Sequence, residues 1–487
     1  MNQNNNDYTW MGSSQPLQKS PKQEWRCPVS LLLVLLLVTV VATMLLTFNV
    51  ASKWIRSQDL VIIQEQQKVI NNLRETLENS NGDLDDSQEF SKLQILAELL
   101  ERYSYYSNEF DTEQMLDEVL RAYTQATGDK YAAYYTEEEY AELRSDSEGA
   151  GVGIGVNVVQ ESLTVGEQTY LTFNIIRIFK DSPAANSNLL VSDRVYAVEV
   201  DGEYKNLTEH GGYTPALNAL RGEVGTTAKM LVFRKNANGD YTTVEVAIVR
   251  DAYTKEPVRY RVSETDASIG IVYIEEFDLL TPVQFKQAVI ALQAQGVEHF
   301  VFDVRNNPGG DLQSIKAVLS YFLDEGDLIL SAIDSEGNRV SSVYAEPAIH
   351  TGSYASCNVL PEEVGMFANL DMVILCNGNT ASAAEVFTAS LRDHKNVPII
   401  GETTFGKGIM QRYYSLAMLT GGNYDGYVKM TTHAYVTECG VTYHDIGIAP
   451  TEGYEVALSD EAKEYNFYLL PEHLDNQLQK AIEAVKN

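Results

Sequence analysis

Ser382 and Lys407 are the two side chains whose surroundings could do chemistry. The serine stands in Gly378-Asn-Thr-Ala-Ser382-Ala-Ala-Glu385. The lysine stands in Glu402-Thr-Thr-Phe-Gly-Lys407-Gly-Ile-Met-Gln411, 25 residues further on (407 − 382). An apolar run, Met372-Val-Ile-Leu-Cys376, leads into the serine turn, and a helix-like run over 383–392 leaves it. A serine on such a strand-to-helix turn exposes its Oγ at the tip of a sheet, beside backbone N–H groups that can hold an oxyanion. Its hydroxyl is a weak nucleophile and needs a base. Lysine can be that base only when neutral, and burial favours the neutral amine. Gln411 follows Lys407 by four residues (411 − 407). Its amide can orient the amine, whereas a carboxylate there would stabilise the ammonium. This set reads as a serine hydrolase that needs no histidine.

The oxyanion needs two donors. The N–H of Ala383 is one. A second segment, Asp303-Val-Arg-Asn-Asn-Pro-Gly-Gly310, follows an apolar strand. Gly309 and Gly310 have no Cβ to block close approach, so they are the candidates for the other donor. Asp303 and Arg305 read as structural support for that loop, and Glu385 takes no assigned role. Taken singly, each piece has a plainer reading: a serine N-cap, a solvated lysine, an ordinary turn. Their joint occurrence in this order is the specific signal. A histidine-dependent hydrolase stays open as an alternative through His394, on the helix after Ser382, or His444.

The elements that must position these groups alternate. Strands are expected over 269–274, 299–304, 372–376 and 397–400, with helices over 282–295 and 312–323, as in an α/β domain with a buried sheet. Upstream, strands over 152–159, 170–178, 194–200, 228–234 and 242–249, with one helix over 214–221, outline a β-rich module of about 100 residues. Amphipathic patches over 60–77, 90–106, 112–127 and 137–143 predict helices before it. The last predicted helix, with Leu474, Leu478, Ile482 and Val485 on one face, closes the chain.

A chain of 487 residues exceeds one ordinary domain. Its net charge of −32 repels phosphates, which argues against nucleic acid as a partner. Cys27, Cys357, Cys376 and Cys439 form neither a disulfide framework nor a metal motif, and no metal or cofactor is expected. The uncharged apolar run 28–50 is long enough to cross a bilayer. Lys19, Lys22 and Arg26 precede it, and Lys53 and Arg56 follow. It reads as an uncleaved signal anchor with the N-terminus inside, which places the catalytic part outside the cytoplasmic membrane.

The motifs together resemble the carboxyl-terminal processing proteases, also called tail-specific proteases. Asp303 to Gly310 looks like the family's Asp-Leu-Arg-x-Asn-Pro-Gly-Gly, 380–385 like Thr-Ala-Ser-Ala-x-Glu, and 406–411 like Gly-Lys-Gly-x-x-Gln. Gly128-Asp-Lys-Tyr-Ala-Ala-Tyr134 and Asp445-Ile-Gly-Ile-Ala-Pro450 extend the likeness, with Lys130 and Ala132 in place of the usual Pro and Ser and Thr451 in place of Asp. Gly151-Val-Gly-Ile-Gly-Val156, Ser182-Pro-Ala-Ala and 193–202 look like a PDZ domain interrupted by a loop at about 160–170. The resemblance implies a multidomain α+β protein: tail 1–27, transmembrane anchor 28–50, helical region 51–148, PDZ domain 149–254, a crotonase-like, tail-specific serine protease core 255–455, and a C-terminal helical segment 456–487. It makes Ser382 the nucleophile, Lys407 the general base and Gln411 its positioner. Gly153, Ile154, Gly155 and Val156 would hold a peptide carboxylate. Expected partners are protein or peptide substrates with accessible C-termini, the membrane through 28–50, and a second copy in a homodimer. A catalytically silent PDZ scaffold that binds protein C-termini is the alternative.

Overall fold

The computed structural model describes residues 88–208 and 213–486. The 1–27 tail, the apolar run 28–50, the periodic stretch 60–77 and His210 lie outside the described residues. Among the described residues no helix is long and apolar enough to cross a membrane.

Two helices, α1 (Gln88–Tyr103) and α2 (Thr112–Gln125), come first. Asp111 caps α2 by accepting the Gln114 N–H, as an N-cap aspartate does. A short strand, β1 (Ala133–Tyr135), and α3 (Glu137–Ser147) follow. Next comes the β-rich module: β2 (Ala150–Gly153), β3 (Val156–Val165), β4 (Gln168–Ile178), β5 (Arg194–Val200), β6 (Glu203–Asn206), α4 (Tyr213–Leu220), β7 (Thr227–Lys235), β8 (Tyr241–Val249) and β9 (Asp251–Thr254). Its antiparallel sheet runs β3-β4-β5-β7-β8, with β6 on β5, around a core that includes Phe173, Ile175, Val198, Met230 and Val246. The expected loop at 160–170 is instead a continuation of the β3–β4 ladder, paired out to Val165 and Gln168. Gly166, at φ 64°, makes the tight turn, and apolar and polar residues alternate through it, so the hairpin extends rather than breaks.

The core domain contains β10 (Val258–Val262), β11 (Ile269–Ile274), α5 (Thr281–Gln293), β12 (His299–Asp303), α6 (Leu312–Ser320), β13 (Leu328–Ile333), β14 (Arg339–Tyr344), β15 (Asp371–Cys376), α7 (Ala383–Lys395), β16 (Ile399–Gly401), β17 (Ile409–Ser415), β18 (Tyr427–Val436) and α8 (Asn476–Ala484). Strands β11, β12, β15 and β16 are parallel, and β10 closes one edge antiparallel. Continuous apolar strands of this kind suit a sheet buried on both faces. Side chains alternate across it. Phe300, Phe302 and Ile374 join the core formed with α5, α6 and α7, while Ile271, Val301, Val373 and Leu375 meet Leu478, Ala481 and Ile482 of α8. The C-terminal helix is thus one wall of the core domain.

A second sheet, β1-β18-β13-β14 with β17 on β18, has no counterpart in the expected strand list. It pairs Ala133 with Lys429 and Tyr135 with Tyr427, so the chain before the β-module contributes a strand to the domain after it.

Candidate active site

Three loops at the carboxyl ends of neighbouring parallel strands carry the candidate residues, where ligands bind in open parallel sheets. The β12 loop carries Arg305 to Gly310, the β15 turn carries Ser382, and the loop after β16 carries Lys407. Thr380 Oγ1 donates to Val304 O at 2.8 Å, Ala381 N–H to Asn307 O at 2.9 Å, and Phe405 N–H to Thr380 O at 2.9 Å. These bonds hold the three loops as one unit.

Ser382 sits at φ 56°, ψ −120°, an uncommon conformation for a residue with a Cβ and typical of strain kept at a nucleophile turn. It begins α7, so Ala383 falls where a helix has no internal acceptor for its N–H. Gly309 lies against this turn: a Cβ there would stand 2.6 Å from Ser382 Cβ and 2.8 Å from Ala383 N. Only glycine permits that approach. Its own N–H donates to Asn307 Oδ1 at 2.8 Å, so Gly309 contributes close approach rather than a free donor. Gly310, at φ 146°, packs on the Phe277 carbonyl, where a Cβ would be 2.2 Å from the oxygen. Of the expected donors, Ala383 begins the helix after Ser382, whereas Gly310 packs against Phe277.

Glu385, left without a role above, organises the site. Fully buried, it accepts the N–H of Ser382 at 2.9 Å, of Gly406 at 2.7 Å and of Lys407 at 2.7 Å, and the Thr404 hydroxyl at 2.6 Å. One carboxylate thereby ties the backbone of Ser382 to that of Lys407. The signal was present as Ser-x-x-Glu at a helix start, a capping box, but its second pair of partners comes from a distant loop. Gly406 and Gly408 let that loop press on 444–447; a Cβ on either would meet backbone nitrogen at 2.9 Å. The Asp445-Ile-Gly-Ile-Ala-Pro450 motif is what they press on, and Ile448 N–H donates to Thr404 Oγ1 at 2.7 Å.

Lys407 is half-buried, with its Nζ 4.5 Å from the Tyr131 ring centre. Burial holds its pKa below the ordinary lysine value; the nearby ammonium groups of Lys429 and Lys130 push the same way, and Glu385 opposes them. Buried Tyr435 donates its hydroxyl to Lys407 O at 2.6 Å. Burial raises its phenol pKa, while hydrogen bonding with the Ser382 side chain pulls it back. Tyr435 therefore fixes the backbone of Lys407, and nothing local in the sequence marked it.

Gln411 Nε2 donates to Thr431 Oγ1 at 3.2 Å, and Thr431 in turn donates its N–H and hydroxyl to Asp129. The glutamine thus braces the β17–β18 pair against the segment that brings Tyr131. Of the histidines weighed as bases, His394 bonds Leu328 O at 2.8 Å and His444 bonds Gly406 O at 3.2 Å. Asp303 and Arg305 are buried as expected of supports, and Arg305 also pairs with Asp475 at 2.8 Å. Gly153, Ile154, Gly155 and Val156 line a cleft of 590 Å³ whose opposite wall includes Asn306 and Pro308, so the β-module opens onto the β12 loop.

Residues 268–453 match the family model described as Peptidase family S41. The carboxy-terminal processing protease CtpA of Bacillus subtilis is 28% identical over 389 residues, covering 79% of this chain and 72% of that protein. The carboxy-terminal-processing protease of Bartonella bacilliformis is 27% identical over 347 residues, 70% of each. Among solved structures, the photosystem II D1 C-terminal processing protease aligns with 77% of this chain and 87% of its own, at 23% identity and a TM-score of 0.42.

Proposed function

From a core domain that belongs to peptidase family S41, we propose a serine endopeptidase that cleaves unstructured protein tails by Ser382–Lys407 catalysis. The observation that carries this reading is Glu385, whose single buried carboxylate binds the backbone of both residues. Neutral Lys407 takes the Oγ proton as Ser382 attacks the peptide carbonyl. Ala383 and Gly310 N–H groups stabilise the oxyanion. Lys407 then protonates the leaving amine, and water resolves the acyl-enzyme. Gln411 acts on Lys407 through the position of its strand.

The β-module acts as a PDZ domain. A substrate C-terminus lies along the free edge of β3, its carboxylate on the N–H groups of Gly153 to Val156. Ile154 and Gly155 support this by spending their carbonyl oxygens on Ala184 and Phe179 N–H. Anchored through 28–50, the enzyme works on the outer side of the cytoplasmic membrane, which protease shaving of intact cells tests directly.

Digestion of an unfolded protein such as casein by the full chain in detergent tests the chemistry. Ser382→Ala and Lys407→Ala should each lower the rate by at least about 10³-fold while the thermal melt is kept. Full activity in either variant would sink the assignment.

A further inference from the structure

The chain carries a large net negative charge, yet two further lysines, Lys130 and Lys429, stand close to Lys407. Lys407 and Lys130 share one ring: their Nζ atoms lie 4.5 and 5.1 Å from the Tyr131 centre. Lys130 also stands 5.9 Å from the Phe405 ring, which is 52% exposed although its N–H is fixed to Thr380, two residues before the nucleophile. Lys429 Nζ donates to Tyr135 OH at 3.0 Å. Among the described residues none of these ammonium groups makes an ion pair. The one carboxylate close to Lys407, Glu385, is occupied by its four donors. An exposed ring beside the exposed Lys130 ammonium, with the partly buried Lys429 behind it, is the chemistry that receives an acidic side chain together with its aliphatic stem.

We infer that Lys130, with Lys429 and the open face of Phe405, forms a subsite that selects substrates bearing Asp or Glu next to the scissile bond. The inference rests on the Ser382–Lys407 reading. Lys130 is a specificity-determining residue: its charge meets the substrate carboxylate, and Phe405 covers the methylene stem.

The test uses the full chain in detergent and two fluorogenic peptides that differ only by Glu or Gln beside the cleaved bond. Wild type should prefer the Glu peptide in kcat/KM by about three- to tenfold, less at high salt. Lys130→Ala should bring the ratio to about one, Lys130→Glu should invert it, and Lys130→Arg should keep it. A ratio unchanged in Lys130→Glu overturns the subsite, as does a wild-type ratio of one. Binding of both peptides to Ser382→Ala, followed by anisotropy, separates the two readings. A Glu preference in binding without any wild-type cleavage would refute the catalytic reading alone.

Discussion

At the scale of residues, the site depends on a carboxylate that does no chemistry. Glu385 is fully buried with four donors, so its two oxygens set the separation of the Ser382 and Lys407 backbones. Glu385→Gln keeps the volume but turns an amide NH2 toward N–H donors. It should lower kcat by about 10²-fold and stability by about 2 kcal/mol. Kinetics and thermal melts check this, and a wild-type kcat would refute it. Lys407 sets the pH behaviour. Its folded pKa lies below 10.5 because of burial and the neighbouring ammonium groups. Activity should therefore fall as pH drops through that lowered value, and Lys429→Gln, by removing one like charge, should move the acid limb upward. The stability sign agrees: between the folded value and 10.5 the unfolded chain binds more protons, so this lysine's contribution rises with pH. A limb unmoved by Lys429→Gln would mean that Lys407 titrates elsewhere. Ser382, Lys407 and Glu385 were all legible as motif letters; Tyr131 was a motif letter too, but its place beside Lys407 was not legible, and Tyr435 was not marked at all, since each reaches the site from a strand or loop remote in the chain.

At the scale of elements, the parallel strands could be read because both of their faces are buried and their apolar runs are continuous. The second sheet could not. Strand β1 has three residues and pairs with β18 nearly 300 residues away, while β17 and β18 alternate weakly and pair with each other, so pairing, not local pattern, makes them strands. The longer β3–β4 hairpin corrects the loop expected at 160–170 for a related reason: Gly-Glu at its tip reads as a break until the register is seen. The C-terminal helix carries a role beyond packing. Arg305 joins the β12 loop to Asp475 at the start of α8, and its guanidinium lies 4.7 Å from the Phe467 ring. Asp475→Ala should destabilise the chain by about 3 kcal/mol, because it leaves a buried guanidinium partly unpaired. The denaturant midpoint measures it, and an unchanged midpoint would show that Asp303 alone satisfies Arg305.

At the scale of the whole molecule, helices α1 and α2 carry large apolar side chains that the other described residues leave exposed. Ile95, Leu96, Leu99 and Leu116 are each at least 50% exposed. Contiguous apolar surface of this kind marks an interface. We propose that a second copy covers it in a homodimer. Sedimentation of the full chain in detergent should give twice the monomer mass, and Leu96→Glu with Leu99→Glu should give the monomer. A monomeric wild type would remove the proposal.

The sequence by itself determined the candidates for the proposed chemistry, Ser382, Lys407 and the glycine loop, because short motifs state residue type and order directly. It also determined the parallel core, because buried strands leave a composition that needs no partner to read. Only the tertiary structure decided how those letters meet. Glu385 binds one loop through residues 21 and 22 positions away as well as its own helix start. The lysines crowd one ring, and a strand from before the β-module completes the sheet behind the base. These are contacts between distant segments, and their energy comes from burial and hydrogen bonds that exist only once the chain has closed on itself.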